Sequence, residues 1–277
     1  FMGDHSARQI DTMTLLGNNE VVLGNSFIVM SREEPRQESS PEITRYVRLL
    51  STKAPLFEKV SENTVLVRIP AFDHAFKKDI DAAIAKHLDT ILKTENLIID
   101  IRGNGGGSDV SYASLLPILY TNPIRTVGME YLSTELNNSR MLGFLQNPHF
   151  SEEEKQWAKD GYDILNQHIG SYINIDEDVT VETFDKIEPL PKSIGVLVDS
   201  SNGSTAEQFL LAAKQSKKVK LFGQTTAGVL DISNMYQTDS PSGTFTLYYS
   251  LTKSLRIPHM AIDGVGIQPD YYIDGEL

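Results

Sequence analysis

The clearest alternation of apolar and polar positions begins at Thr64, where Thr64-Val-Leu-Val-Arg-Ile69 is a β-branched run closed by Pro70. The next segment, Lys77 to Lys93, puts Ile80, Ile84, Leu88 and Ile91 on one helical face. Leu97-Ile-Ile-Asp-Ile101 reads as a buried strand, Arg102 to Ser108 as a glycine-rich turn, and Val110 to Leu119 as a helix stopped before Pro123. Ser151-Glu-Glu-Glu154 is a capping-box pattern, and Trp157, Ile164, Leu165 and His168 at helical spacing extend it into an amphipathic helix from Glu152 to His168. The Trp157 face reads as core packing of an insertion or as a lid. Ile194-Gly-Val-Leu-Val198 is a further buried strand, followed by a helix from Thr205 to Gln215 and a strand from Val219 to Phe222.

Strands that are apolar throughout and alternate with helices predict an α/β fold in which helices cover the sheet. Thr244 to Leu251 alternates like a half-buried strand, and Gln268-Pro-Asp270 marks a turn before a last short one. The N-terminal part is less regular. Val21 to Leu23 and Phe27 to Met30 read as strands, and the polar, Pro-bounded stretch from Glu33 to Pro41 reads as a surface loop.

Composition narrows the function classes. The 25 Lys and Arg stand against 37 Asp and Glu, a net charge of −12 that repels a phosphate backbone, so nucleic acid is not the expected partner. No apolar run approaches the ~18 residues of a membrane span. Cysteine is absent, which removes thiolate nucleophiles and Cys-based zinc sites, and no pair of the six histidines has metal-ligand spacing. Neither a metal nor another cofactor is expected. The chain opens on Phe1 with no basic and apolar leader ahead of it, as after processing or truncation.

Two strand-turn-helix junctions carry the candidate chemistry, because helix N-termini present unpaired N–H groups that suit developing negative charge. At the first, Gly103-Asn-Gly-Gly-Gly107 lets a ligand approach the backbone. A connector is the plain alternative, and a dinucleotide fingerprint is a poor match because Ser108 sits where the third glycine belongs. At the second, Ser204 lies just before a helix, where the Thr205 N–H could serve an oxyanion. Taken alone, Ser204 reads more readily as a helix cap than as a nucleophile.

Four motifs taken together, Asp100-x-Arg-Gly-Asn-Gly-Gly-Gly107, Ser204-Thr-Ala-Glu207, Gly223-Gln-Thr-Thr-Ala-Gly228 and Gly266-Ile-Gln-Pro-Asp270, resemble the tail-specific or C-terminal processing peptidases, a family of serine hydrolases. The resemblance covers about residues 60 to 275 and implies a Clp protease/crotonase-like ββα core. It implies Ser204 as nucleophile, with backbone N–H groups of Gly105 or Gly106 and of Thr205 as the oxyanion hole. The commonest branch has a lysine after the Gly-x-x-Thr-x-Gly turn, where this chain has Val229. The tricorn-like branch uses a histidine from a short N-terminal motif, which Gly3-Asp-His-Ser6 resembles, and an acidic residue three before the final Gly, here Asp263.

The implied set is therefore Ser204, His5 and Asp263, with His259 as a reserve base. The 57 residues between Ser6 and Thr64 are too few for the complete PDZ domain known in such proteins. Residues 1–60 are then an N-terminal segment carrying the histidine motif, and 61–277 a catalytic domain with a helical insertion at about 130–190. The implied activity is acyl-enzyme hydrolysis of proteins or peptides, after export to a bacterial periplasm or cell envelope. A peptide-binding relative without turnover is the alternative, and acyl-CoA chemistry on the same core ranks third.

Overall fold

The structure is a computed structural model that describes residues 40–148 and 150–273. The strands expected at Val21 to Leu23 and Phe27 to Met30, and the His5 motif, lie outside the described residues. Pro41, expected to close a loop, instead opens helix α1 (Pro41–Ser51), and the Ser40 hydroxyl accepts the Ile43 N–H at 3.2 Å. A Ser-Pro pair at N-cap and N1 is the signal for that helix.

From Leu49 onward the chain is one compact unit. It starts with an antiparallel hairpin, β1 (Leu56–Lys59) and β2 (Thr64–Arg68), followed by α2 (Lys77–Ile91) and β3 (Asn96–Asp100). The helix expected from Val110 to Leu119 is a 3₁₀ helix over Asp109–Leu115 and only then α3 (Leu116–Leu119). Pro117 explains the difference, since it has no N–H to close an α-type bond onto Ala113. Next come β4 (Ile124–Val127), β5 (Met129–Leu132), α4 (Glu135–Leu145), α5 (Glu152–Asn166), β6 (Tyr172–Ile173) and β7 (Val179–Glu182). The expected capping box is present on α5, with Ser151 and Glu154 bonding each other's backbone N–H. The last elements are β8 (Ser193–Val198), α6 (Thr205–Ala213), β9 (Val219–Gly223), β10 (Ile232–Asp239), β11 (Thr246–Ser254) and β12 (Tyr271–Tyr272).

The main sheet has the order β1-β2-β3-β8-β9-β12, parallel from β2 onward. Its buried side chains, among them Val65, Leu97, Ile99, Val196 and Leu221, form the core with Ile80 and Ile84 of α2 and Phe209 and Leu210 of α6. This is the α/β arrangement that the alternation predicts. A second, antiparallel sheet has the order β10-β11-β5-β6, and β4 pairs with β7. Met141, Ala158 and Leu165 of α4 and α5 form a small separate core, against which Trp157 packs.

Register is what places the site. Asp100 of β3 lies opposite Leu197 of β8 in a parallel pair, so both strands end at the same edge of the sheet. The turns that follow them must therefore meet, as at the carboxyl edge of any open parallel sheet.

Candidate active site

The first turn is anchored by charge. Asp100 is fully buried and takes the Arg102 guanidinium at 2.9 and 2.7 Å, and Arg68 from the neighbouring strand at 3.3 Å. Burial pulls the Arg68 pKa down, while Asp100 pulls it back. The Asp-x-Arg part of the motif is thus a paired charge cluster beneath the glycines. Above it, Asp199 accepts the Gly103 N–H at 3.0 and 2.9 Å, and buried Asn202 donates to the carbonyls of Ile101 at 2.6 Å and Asn104 at 3.0 Å. Asp199 and Asn202 escaped the sequence reading, although Asp-x-x-Asn directly after a strand is an Asx-turn signal.

Glycine is required where the two turns touch. A Cβ on Gly106, whose φ is +106°, would lie 2.7 Å from the Gly203 carbonyl oxygen, 2.9 Å from the Thr205 nitrogen and 3.0 Å from Ser204 Cβ. On the other side Phe72 donates to the Gly106 carbonyl at 3.1 Å and bridges Gly107. Phe72 is itself held by Tyr112 and Phe209, with ring centroids 5.6 and 5.4 Å away. The structure therefore brings Gly105, Gly106, Ser204 and Thr205 together. The Gly106 N–H donates to Asn104 Oδ1 at 2.9 Å.

Ser204 stands at the N-cap of α6 but makes no side-chain capping bond, and its backbone has φ 53° and ψ −125°. That conformation is sparsely populated for a side chain with a Cβ. The half-buried residue presents itself to a cavity of about 990 Å³, which Thr205, Asp109, Arg256, Val229 and Asp263 also line. Among the described residues that line it there is neither histidine nor lysine. Val229, at the position where the commonest branch has lysine, reaches Gly203 and is half exposed in the cavity.

The remaining motifs hold the turns in place. Glu207, buried on α6, accepts the Thr226 hydroxyl at 2.5 Å and the N–H groups of Gly228 and Val229 at 2.7 and 2.9 Å. Thr226 in turn accepts the Ile267 N–H at 2.7 Å, and Asp270 accepts that of Leu221 at 2.8 Å. With Asn202, whose backbone carbonyl also accepts the Ala227 N–H at 2.8 Å, joining the first motif to the others, the four form one hydrogen-bonded network running from β3 to β12.

Asp263 accepts three consecutive N–H groups, those of Leu230 and Asp231 at 2.6 Å on Oδ1 and that of Ile232 at 3.0 Å on Oδ2. Asp231 replies by accepting the Asp263 N–H at 2.9 Å and pairing with Arg256 at 2.7 Å. Asp109 opens into the cavity, but the surrounding protein desolvates its carboxyl and pushes the pKa up, against the pull of the Thr205 hydroxyl and the Arg256 charge. Neither Asp109 nor Arg256 carries a sequence signal of its own. His259 is exposed on the turn after β11 and is not among the residues lining the cavity.

A model of peptidase family S41 matches residues 63–273. The chain is 25% identical over 245 residues to a protein of Chlamydia trachomatis serovar D and to one of Chlamydia muridarum, covering 76% of this chain and 40% of each relative. It therefore spans about two fifths of the length of the curated relatives it matches. Among solved structures, mature CPAF complexed with lactacystin is similar with a TM-score of 0.54 at 20% identity, over 76% of this chain and 47% of that one. Mature CPAF is similar with a TM-score of 0.53 at 20% identity, over 76% and 46%. At that identity the likeness is one of fold.

Proposed function

Since the chain belongs to peptidase family S41, we propose that it is a serine peptidase of the tail-specific kind, in which Ser204 attacks the carbonyl carbon of a peptide bond. The observation that carries this reading is the backbone of Ser204. A serine at φ 53°, at the start of a buried helix, with no capping bond and with Gly106 pressed against it, is a side chain held out for another use. The four linked motifs support the same reading, because they keep that backbone from relaxing.

In the proposed reaction the Ser204 oxygen bonds to the substrate carbon while its proton passes to the base. The oxyanion is received by the Thr205 N–H at the positive end of α6 and by the Gly105 or Gly106 N–H. Gly106 can take part only by exchanging its bond to Asn104 Oδ1 for one to the oxyanion. The base passes the proton to the departing amine, and water then hydrolyses the acyl-enzyme.

His5 is the base in this proposal and lies outside the described residues. Asp263 orients it. Its three accepted N–H groups leave one of about four lone-pair sites, on Oδ2, for an imidazole N–H. The substrates are proteins or peptides. We assign the enzyme to the periplasm or cell envelope on family resemblance, and no helix among the described residues is long and apolar enough to cross a membrane.

The rival, a binding protein without turnover, is separated by intact-mass analysis after exposure to a fluorophosphonate. One adduct, mapped to Ser204 and lost in Ser204→Ala, is the expected result. A folded chain that takes up no adduct would favour the rival.

A further inference from the structure

Among the described residues, Asp109, Arg256 and Asp263 are the charged ones that line the cleft holding Ser204. Two of the three have counterparts within the protein. Arg256 is buried and donates through Nε to Asp231 Oδ1 at 2.7 Å, and the other oxygen of Asp231 accepts the N–H groups of Ile262 at 2.5 Å and Asp263 at 2.9 Å. Asp263 accepts three backbone N–H groups, and its remaining site is the one assigned above to His5. Asp109 is the exception. Its side chain is exposed in the cavity wall beside the Thr205 hydroxyl, and it makes no ion pair among the described residues.

The walls of the cleft desolvate that carboxyl, and the Arg256 charge, already opposed by Asp231, offsets less than burial costs. A desolvated carboxyl without a cation weakens the fold, and in a cleft it marks a place where an incoming positive charge is rewarded. The carboxylates of Asp109, Asp231 and Asp263 stand there against the one guanidinium of Arg256, so the local field favours a cation and opposes an anion. The position is next to the proposed reaction centre, since Asp109 follows Gly106 by three residues and its neighbour Thr205 directly follows Ser204. Val127 and Met129 line the same cavity and offer apolar surface to a methylene stem.

We propose that Asp109 is a specificity-determining residue, which takes the cationic side chain of a substrate lysine or arginine beside the scissile bond. An ammonium or guanidinium gives the carboxylate a charge-assisted hydrogen bond, whereas a neutral side chain leaves it alone and an acidic one adds repulsion. The proposal rests on the peptidase reading for the cation belonging to a peptide, and on the isolation of Asp109 for its charge.

The full chain is titrated calorimetrically with benzamidine, whose amidinium stands in for the cationic group, and separately with neutral benzamide. Saturable benzamidine binding, roughly tenfold tighter than benzamide and weakened to a similar extent in Asp109→Asn, is the expected result. No saturable binding, or equal binding by Asp109→Asn, overturns the proposal. The unmodified chain gives a second readout that does not depend on the variant folding. Bound benzamidine should make the Asp109 carboxyl carbon resonance titrate at a lower pH, because a nearby cation favours the ionised form. A midpoint unmoved by benzamidine overturns it as well.

The link to peptides is tested in Ser204→Ala, where turnover is absent. An N-acetylated short peptide with one lysine or arginine should displace benzamidine, and its norleucine counterpart should not. Failure of both cationic peptides, or equal displacement by norleucine, overturns the assignment to a side chain. Displacement by the norleucine peptide only when its N-terminus is free, with the acetylated lysine and arginine peptides inactive, assigns the site to an α-ammonium instead. None of these readouts needs catalysis, so the peptidase reading, tested by the fluorophosphonate, can fail or stand independently.

Discussion

Ser204 holds a backbone conformation that costs on the order of 1–3 kcal/mol for a residue with a Cβ and little for glycine. Ser204→Gly is therefore expected to be more stable than Ser204→Ala by about 1 kcal/mol in urea unfolding, although both lose the hydroxyl. Equal stabilities would mean that the φ of 53° stores no strain. Asp109, four residues after Gly105 along the chain and in the cavity wall, carries a different signature. Its folded pKa lies above the ordinary 3.8 because of desolvation, so the folded state favours the proton. The stability that this contributes is present below pH 3.8 and is lost as pH rises through the folded value. Asp109→Asn is expected to raise the melting temperature at neutral pH, with the gain vanishing in acid. A gain that is the same at both pH values would assign the effect to packing.

At the scale of elements, α6 is unusual in burying nearly every residue, including polar Thr205, Glu207 and Gln208. That is tolerable because Glu207 accepts three hydrogen bonds from the turn at Thr226 to Val229. Glu207→Gln turns an amide NH₂ toward donors, and we expect a loss of about 3 kcal/mol in denaturant unfolding together with slower fluorophosphonate labelling of Ser204. Unchanged stability would show that the turn is held by its other contacts. Elements with strong periodicity or explicit caps, such as α2, α5, β3 and β8, were legible along the chain because their local pattern and their burial agree. The 3₁₀ segment at Asp109–Leu115 was less so, since its tightening depends on Pro117 as much as on its apolar spacing. The expected half-buried strand at the C-terminus forms as β11, but its first half is exposed on both faces, because the hairpin extends beyond the strands that cover its base.

In the whole molecule, stability is expected to be highest where the parallel strands are sandwiched. Amide exchange should be slowest in Leu97–Ile99 and Ile194–Val198, which open only with global unfolding, and fastest at the Ser240 to Phe245 tip of the β10–β11 hairpin. A protected tip would reveal a contact for its exposed Phe245, Leu247 and Tyr248. The amino-acid sequence by itself determined the alternation of strands and helices, the two glycine- and serine-bearing junctions and the family to which the chain belongs, since each of these is written in neighbouring residues. It could not show that Asn202 ties the first turn to the second, or that Glu207 and Thr226 tie the second to the third and fourth. Those contacts join residues far apart along the chain, and only the parallel registers of β3 beside β8, β8 beside β9 and β9 beside β12 decide them.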